Sequence, residues 1–452
     1  MVPAMTAIRC EGLCAMERKL MDRLLAWKDD AHRRPLVLRG ARQTGKTWLL
    51  EEFGRRAFRS TVRIDFMREP ALQGLFAKDL DPARIVSEIE IVRNTSIDPA
   101  TTLLFFDEVQ EAARGLTAFK YFCEDAPEYH VVAAGSYMGI AMRKGDTSFP
   151  TGKVTLLTLH PMNFIEFLRG IGDTQLADYV IFADGATFAS MGKVLQSRLV
   201  DRLRTYLVVG GMPAAVSRYA EAASVRGVRD VQTDITEAYV ADFAKHAPAR
   251  ILERMRLVWA SLPAQLAKEN KRFVFGALRR GARARDFEES IQWLEDFGAV
   301  IRVPRASALR IPLAGYEDRA AFKLIGVDVG LLGAQSGLPE AAVLDEGRAF
   351  TEFKGSLTEA FVVQELVCAG LKPYYWSSPD SRAEIDVVTQ IGARPTPIEV
   401  KAAENLRSKS LGVVAKRFGL DRVVRTSLSG YRDEGWMVNV PLWAVGQLGR
   451  LL

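Results

Sequence analysis

A glycine-framed loop near the N-terminus is the strongest chemical feature of this sequence. It comprises Gly40, Ala41, Arg42, Gln43, Thr44, Gly45, Lys46 and Thr47. Such a loop points consecutive backbone N–H groups at phosphate, while the lysine supplies positive charge and the threonine hydroxyl suits Mg²⁺. A buried strand at 36–38 precedes the loop and a helical stretch follows it, which is the setting that this motif requires. The sequence therefore predicts an ATP site with Mg²⁺.

Two acids and a serine downstream complete a hydrolytic site. Asp107 and Glu108 end the apolar run that starts at Thr101. We expect Asp107 to hold the Mg²⁺ shell and Glu108 to polarise the attacking water. Ser136 follows another apolar strand, at the sheet edge where α/β proteins bind ligands. It is predicted to sense the γ-phosphate, although a simple turn serine is the alternative.

A basic segment lies in the middle of the chain. Residues 268–285 contain seven Lys or Arg residues and a single acidic residue, Glu269. The segment predicts helix, turn, helix and strand, as in a winged-helix module whose second helix enters a DNA major groove. A solvated basic face or a subunit-docking surface is the alternative. The predicted nucleic-acid contacts are Lys271, Arg272, Arg279, Arg280, Arg283 and Arg285.

Acids and a lysine cluster near the C-terminus. In the strand that contains Glu399 and Lys401, alternate side chains share a face, and Asp386 lies on a neighbouring predicted strand. Asp386 and Glu399 are the predicted metal ligands, and Lys401 is predicted to activate a metal-bound water for phosphodiester hydrolysis. The pattern resembles the PD-(D/E)xK restriction-endonuclease-like fold, and Glu359 fits its helical acid. An inactive binding module of the same fold is the alternative.

Composition sets the remaining limits. The chain has 452 residues, a formal net charge of +6 and four cysteines without a CxxC pair, which favours a reduced, cytoplasmic protein. No apolar run reaches the roughly 18–20 residues of a membrane span.

Strands alternate with helices up to about residue 160, which predicts a three-layer α/β sheet domain. Helices are then predicted at 193–209, 217–243 and 249–269, before strands return from Tyr374 to Val400.

The ordered motifs resemble the AAA+ ATPases, and in particular a prokaryotic family whose ATPase core precedes a domain of unknown function. The resemblance rests on LRGARQTGKT, FFDEVQ and AAGS, then on HPMNFIEF and GGMP. It implies that Ser136 is the sensor, that Pro213 packs near the adenine, and that subunits form a ring or spiral. The family often has Gly-Arg where this chain has Gly152-Lys153, so Lys153 and Arg143 both remain candidates for the arginine finger.

Five units are predicted from these patterns. They are an N-terminal helical extension (1–33), a P-loop AAA+ core (34–160), a helical lid (161–245), a winged-helix-like domain (246–320) and a nuclease-like α/β domain (321–452). Three functions stay open at this point: an ATPase paired with a nuclease, a DNA-bound motor with an inactive C-terminal domain, and a nucleotide switch that binds a protein partner.

Overall fold

A five-stranded parallel sheet forms the centre of the N-terminal unit. The computed structural model describes residues 16–136, 138–141, 149–268, 271–339, 351–378, 383–402 and 409–452. The sheet has the order β2-β3-β4-β1-β5, and every neighbouring pair is parallel. Its strands are β1 (Leu36–Arg39), β2 (Ser60–Asp65), β3 (Thr102–Asp107), β4 (His130–Ala134) and β5 (Thr155–Thr158).

Helices cover both faces of this sheet. On one face Leu36, Leu103 and Phe105 pack with α1 and α2; on the other, Ile64 and Phe106 pack with α3 and α4. Successive strand side chains point to opposite faces, so uninterrupted apolar strands fit a sheet that is buried on both sides. The predicted three-layer arrangement is confirmed. The helices are α1 (Leu20–Asp29), α2 (Lys46–Ala57), α3 (Pro82–Arg93), α4 (Gly115–Asp125) and α5 (Met138–Ala141).

A helical region follows the sheet. The predicted helix 193–209 is confirmed, but the predicted helix 217–243 is two helices. Left-handed backbone at Ala223 and Gly227 separates them, because no α-helix continues through residues with positive φ. The elements are α6 (Phe164–Gly170), α7 (Thr174–Phe182), α8 (Gly185–Ala189), α9 (Lys193–Val209), α10 (Pro213–Ala222) and α11 (Val228–His246).

Two helices and a β-hairpin form the middle of the chain. They are α12 (Ala249–Leu266), α13 (Ala284–Phe297), β6 (Val300–Ala306) and β7 (Glu317–Gly326). The two strands pair antiparallel. Strand β6 also pairs in parallel with a later strand, β8 (Tyr374–Ser377), through Arg305 and Tyr375. The hairpin is thus part of the C-terminal sheet. The predicted boundary between residues 320 and 321 falls inside β7 and is misplaced.

The C-terminal unit completes an eight-stranded sheet of order β12-β13-β11-β10-β9-β8-β6-β7. Its strands are β8 (Tyr374–Ser377), β9 (Glu384–Ile391), β10 (Arg394–Val400), β11 (Val423–Ser427), β12 (Arg432–Asp433) and β13 (Met437–Pro441). Its helices are α14 (Val329–Gln335), α15 (Thr351–Cys368), α16 (Lys409–Phe418) and α17 (Leu448–Leu451). Short 3₁₀ segments lie at Pro70–Phe76, Val109–Glu111, Phe275–Ala277, Leu313–Tyr316 and Leu442–Gln447.

One apolar core joins the lid, the middle and the C-terminal unit, from Phe164 through Phe297 to Trp443. Buried polar contacts reinforce it: an Asp328 carboxylate oxygen accepts the backbone N–H of Gly211 at 2.6 Å. An added Cβ at Gly210 would lie 2.2 Å from the same carboxylate, so the turn requires glycine there. These units therefore pack as one body around the GGMP turn. Among the described residues, no helix is long and apolar enough to cross a membrane.

Candidate functional site

The glycine loop forms a phosphate cradle between β1 and α2. Gly40, Gln43 and Gly45 all have positive φ, which curls the backbone, and α2 begins at Lys46 directly after the loop. A Cβ at Gly40 would lie 2.2 Å from the carbonyl oxygen of Leu159, so no other residue fits. The curled N–H groups and the positive end of α2 converge on one point, as an anion site requires.

Lys46 is buried within this cradle. Its ammonium donates to the carbonyl oxygens of Gly40 at 3.0 Å and Ala41 at 2.8 Å. Burial lowers the pKa of Lys46 to about 8, although Glu108 and Asp107 oppose the shift. Two neutral carbonyls compensate a buried ammonium poorly, so phosphate oxygens are favourable partners for it.

Asp107 lies at the end of β3, facing the cradle. One of its carboxylate oxygens accepts the Thr47 hydroxyl at 3.1 Å, and Arg63 donates to the same oxygen at 2.6 Å. Burial raises the pKa of Asp107, and Arg63 opposes that shift. A threonine hydroxyl beside an acid at a strand end is the pair that holds Mg²⁺ in P-loop enzymes, so these residues fit the ion.

Glu108 is the next residue, and its backbone is in the left-handed region with φ of 50°. Its carboxylate accepts the Gln110 amide at 2.6 Å and the backbone N–H of Ser136 at 3.3 Å. Non-glycine residues with such backbone concentrate at functional sites. The sheet thus brings Glu108 and Ser136 together. Here Ser136 contributes its backbone N–H, and the sensor role of its hydroxyl stays a prediction.

Two arginines at this site were missed. Arg63 on β2 reaches Glu51, Asp65 and Asp107. The charge of Arg63 between Val62 and Ile64 was the available signal. Arg18 is buried and donates to the carbonyl oxygens of Thr44 at 2.8 Å and His160 at 2.6 Å. It fastens the segment before α1 to the phosphate loop, and its sequence surroundings gave no signal.

The helical region that follows the sheet also contacts the loop. An added Cβ at Gly45 would lie 3.6 Å from Pro213, so this proline is adjacent to the loop, and its packing near the adenine stays a prediction. The Tyr239 hydroxyl donates to the Arg42 carbonyl oxygen at 2.9 Å, and the Arg42 guanidinium forms an ion pair with Asp242. Because Tyr239 and Asp242 both lie on α11, that helix holds the first half of the cradle.

These contacts do not choose between the two candidates for the arginine finger, Lys153 and Arg143. Lys153 forms an ion pair with Glu124 of the same chain at 2.9 Å. Arg143 lies outside the described residues.

The basic segment divides into an exposed and a buried part. Lys271 departs from its predicted role, because its ammonium binds the buried carboxylate of Glu359 at 2.5 Å. The surface of α13 beyond its first turn is acidic, with Glu288 and Glu289 exposed. These two acids pair with Arg302 and Arg250, respectively, and the entry of α13 into a major groove stays a prediction. The predicted contacts that are exposed are Arg272, Arg279, Arg280, Arg283 and Arg285.

The C-terminal acids share one region of the sheet. The register that pairs Val387 with Ile398 brings Asp386 level with Glu399 on the neighbouring strand. Asp386 accepts the backbone N–H of Val400 at 2.8 Å, and Glu399 pairs with Lys401 at 2.6 Å. Burial and the nearby Glu359 raise the pKa of Asp386 to about 6. The predicted residues are therefore neighbours, as expected.

Their partners differ from those that a metal site needs. Both carboxylate oxygens of Glu359 are bound by ammonium groups, one from Lys323 and one from Lys271. Across the described ranges, no group of three or more His, Cys, Asp or Glu side chains is arranged to hold a metal ion. The residues present do not fit the divalent metal that the nuclease resemblance implies.

Three regions of the chain match known families. Residues 32–168 match an AAA domain. Residues 200–342 and 354–444 match two domains of unknown function, DUF8612 and DUF4143. The chain therefore carries a P-loop ATPase domain of the AAA type, and the resemblance noted from the sequence is confirmed at that level. The family descriptions leave the activity of the other two regions open. No curated protein matches the chain.

Solved structures that match the chain include three proteins at low sequence identity. A Walker-type ATPase of Pyrococcus abyssi is 14% identical, covers 71% of this chain and 95% of its own, and has a TM-score of 0.44. Thermotoga maritima RuvB T158V is 17% identical, with coverages of 65% and 89% and a TM-score of 0.28. The Aeropyrum pernix ORC1 protein in complex with DNA is 13% identical, with coverages of 73% and 94% and a TM-score of 0.27.

Proposed function

We propose that this protein binds ATP with Mg²⁺ in the cradle of Gly40 to Thr47 and hydrolyses it. The observation that carries the proposal is the juxtaposition of three groups at one sheet edge. Thr47 and Asp107 are hydrogen-bonded, and Glu108 stands beside Ser136 at the ends of adjacent strands. Phosphate cradle, metal ligands and base are the parts that phosphoryl transfer to water requires.

Each side chain has a separate task in this mechanism. The cradle N–H groups and Lys46 hold the β- and γ-phosphates and stabilise the charge that develops during transfer. Mg²⁺, held by Thr47 and Asp107, would neutralise charge on the phosphate oxygens. Glu108 orients a water molecule in line with the γ-phosphate, and Ser136 marks the γ-phosphate position. Release of Glu108 from Gln110 and Ser136 would free its carboxylate for that water.

Helix α11 connects the phosphate cradle to the remainder of the chain. Helix α11 holds the cradle through Tyr239 and Asp242, and it shares the continuous apolar core with the C-terminal unit. A change of the loop on nucleotide binding would therefore move α11 against a packed body that responds as one piece. We propose that copies of the chain assemble into a ring or spiral in which a neighbour's cation completes the site.

Purified protein with radiolabelled ATP tests the ATP proposal. We expect Mg²⁺-dependent binding and turnover in wild type, and loss of both in Lys46→Ala. Lys78→Ala, which removes an exposed lysine of the same unit, is the matched control. Wild-type binding that Lys46→Ala leaves unchanged would place the nucleotide elsewhere.

We propose as a second function that the exposed arginines between residues 272 and 285 contact DNA. Five arginines lie on one exposed stretch, where phosphate neutralisation gives salt-dependent affinity without base reading. DNA-stimulated ATP turnover would support a DNA-bound motor. Turnover that DNA leaves unchanged, together with no DNA binding at low salt, would favour the nucleotide switch that acts on a protein partner.

A further inference from the structure

A buried lysine lies at the centre of the C-terminal acid cluster. The side chain of Lys323 on β7 is only 1% exposed. Its ammonium is 2.9 Å from Glu359, 2.8 Å from Glu384 and 3.4 Å from the backbone carbonyl oxygen of Asp386. Three oxygen atoms from a helix and a strand therefore surround one ammonium group.

Several other oxygens of the cluster already have partners, whereas the second carboxylate oxygen of Glu399 is buried without a hydrogen-bond partner. Lys271 occupies the second oxygen of Glu359, the Val400 N–H occupies one oxygen of Asp386, and Lys401 occupies one oxygen of Glu399. A Mg²⁺ ion needs near-octahedral oxygen ligands at about 2.0–2.1 Å. Binding it through Glu359 would require an ammonium to leave, because Lys323 and Lys271 already occupy both of its carboxylate oxygens.

Displacement of Lys323 is costly. Moving its ammonium out of the cluster would leave one carboxylate oxygen of Glu359, which is 2% exposed, without its ion-pair partner. Breaking a buried ion pair from one side is strongly destabilising, because the remaining charge is uncompensated. The aromatic face of Tyr375, with its ring centroid 4.8 Å from the ammonium, adds a cation–π contact. The lysine is therefore anchored from several directions.

We propose that the Lys323 ammonium is the resident cation of this cluster and that the C-terminal unit works without a divalent metal. The acids that resemble a nuclease site then bind the ammonium groups of Lys271 and Lys323 between α15 and the sheet. This inference does not depend on the ATPase proposal, because no residue of the phosphate cradle takes part in it.

Metal-dependent thermal unfolding of the full-length chain tests the proposal. All variants carry Asp107→Asn and are kept free of nucleotide, so that the ATP site contributes little to the metal response. In this background we expect the same unfolding midpoint in EDTA and in millimolar Mn²⁺. Adding Lys323→Ala removes the resident cation, and we expect a lower midpoint that Mn²⁺ partly restores. Lys372→Ala, which removes an exposed lysine paired with Glu317, is the matched control and should show no metal response.

A Mn²⁺-induced rise in the midpoint of the chain that retains Lys323, abolished by Asp386→Asn, would overturn the proposal. DNA cleavage by wild type in Mn²⁺, abolished by Lys401→Ala, would overturn it too. If Lys323→Ala does not fold, Lys323→Met combined with Glu359→Gln removes both charges. A folded double variant without a metal response would then support the proposal, and a folded double variant that Mn²⁺ stabilises would contradict it.

Discussion

Glu365 on α15 gives a sharp test of how the C-terminal unit joins the ATPase domain. Its side chain is buried, and one carboxylate oxygen accepts the backbone N–H of Phe164, at the start of α6, at 2.7 Å. Burial raises the pKa of Glu365 from 4.5 to about 8. In the folded protein it is therefore protonated at neutral pH, whereas in the unfolded chain it is ionised.

The sign of the effect follows from the protons bound. Between pH 4.5 and about pH 8 the folded state holds a proton that the unfolded state lacks, so stability falls as pH rises. The slope reaches about 1.4 kcal/mol per pH unit, which amounts to a loss on the order of 4 kcal/mol across this window. Below pH 4.5 this contribution is fully present, and above pH 8 it stops changing.

Glu365→Gln removes the titration and keeps an oxygen to accept the Phe164 N–H. We expect the variant to gain stability relative to wild type as pH rises from about 5 to 8, with the slope given above. Urea unfolding at several pH values measures this difference, and Glu253→Gln, at an exposed glutamate on α12, is the control. A difference between wild type and Glu365→Gln that is the same at pH 5 and pH 8 would refute the reasoning.

Two further predictions concern the contacts of the loop and the arginine segment. Tyr239→Phe removes the hydrogen bond to the Arg42 carbonyl, and a loss of about 1 kcal/mol should weaken ATP binding roughly fivefold. Titration calorimetry measures the ATP affinity, and Tyr179→Phe is the control. Equal ATP affinities of Tyr239→Phe and wild type would contradict the role of α11. Replacing the exposed arginines by alanine should flatten the salt dependence of DNA affinity by about 0.9 per lost phosphate contact. An unchanged slope in filter binding would exclude these five arginines as phosphate contacts: Arg272, Arg279, Arg280, Arg283 and Arg285.

The phosphate cradle was predictable because its parts are local. A turn that tolerates only glycine, a lysine that begins a helix and acids at a strand end are each set by a few consecutive residues. The alternation of strands and helices then fixed the parallel sheet, which brings Asp107 and Thr47 together across 60 residues of sequence. Arg18 escaped prediction because its partner His160 lies 142 residues away.

The C-terminal half was less predictable for a similar reason. Lys271 was counted as a surface charge, because the sequence gives its type but not its direction. Its partner Glu359 is 88 residues distant, and burial of the pair depends on the packing of α15 against the sheet. Lys323 was noted only within Phe322-Lys323-Leu324, one of the short segments that resemble the family, and no role was predicted for its side chain. The break in the predicted helix 217–243 was missed because Ala223 adopts a left-handed backbone. Alanine gives no sequence signal for that conformation.

Steady-state ATP turnover by Glu108→Gln, measured together with ATP binding, tests the central claim most directly. The change keeps the shape of the side chain and removes the carboxylate that would orient water. Glu111→Gln, one turn further on, is the matched control. The account predicts that Glu108→Gln binds ATP as wild type does and hydrolyses it at least about a hundredfold more slowly, the typical contribution of a general base. Hydrolysis by Glu108→Gln at the wild-type rate would contradict the account.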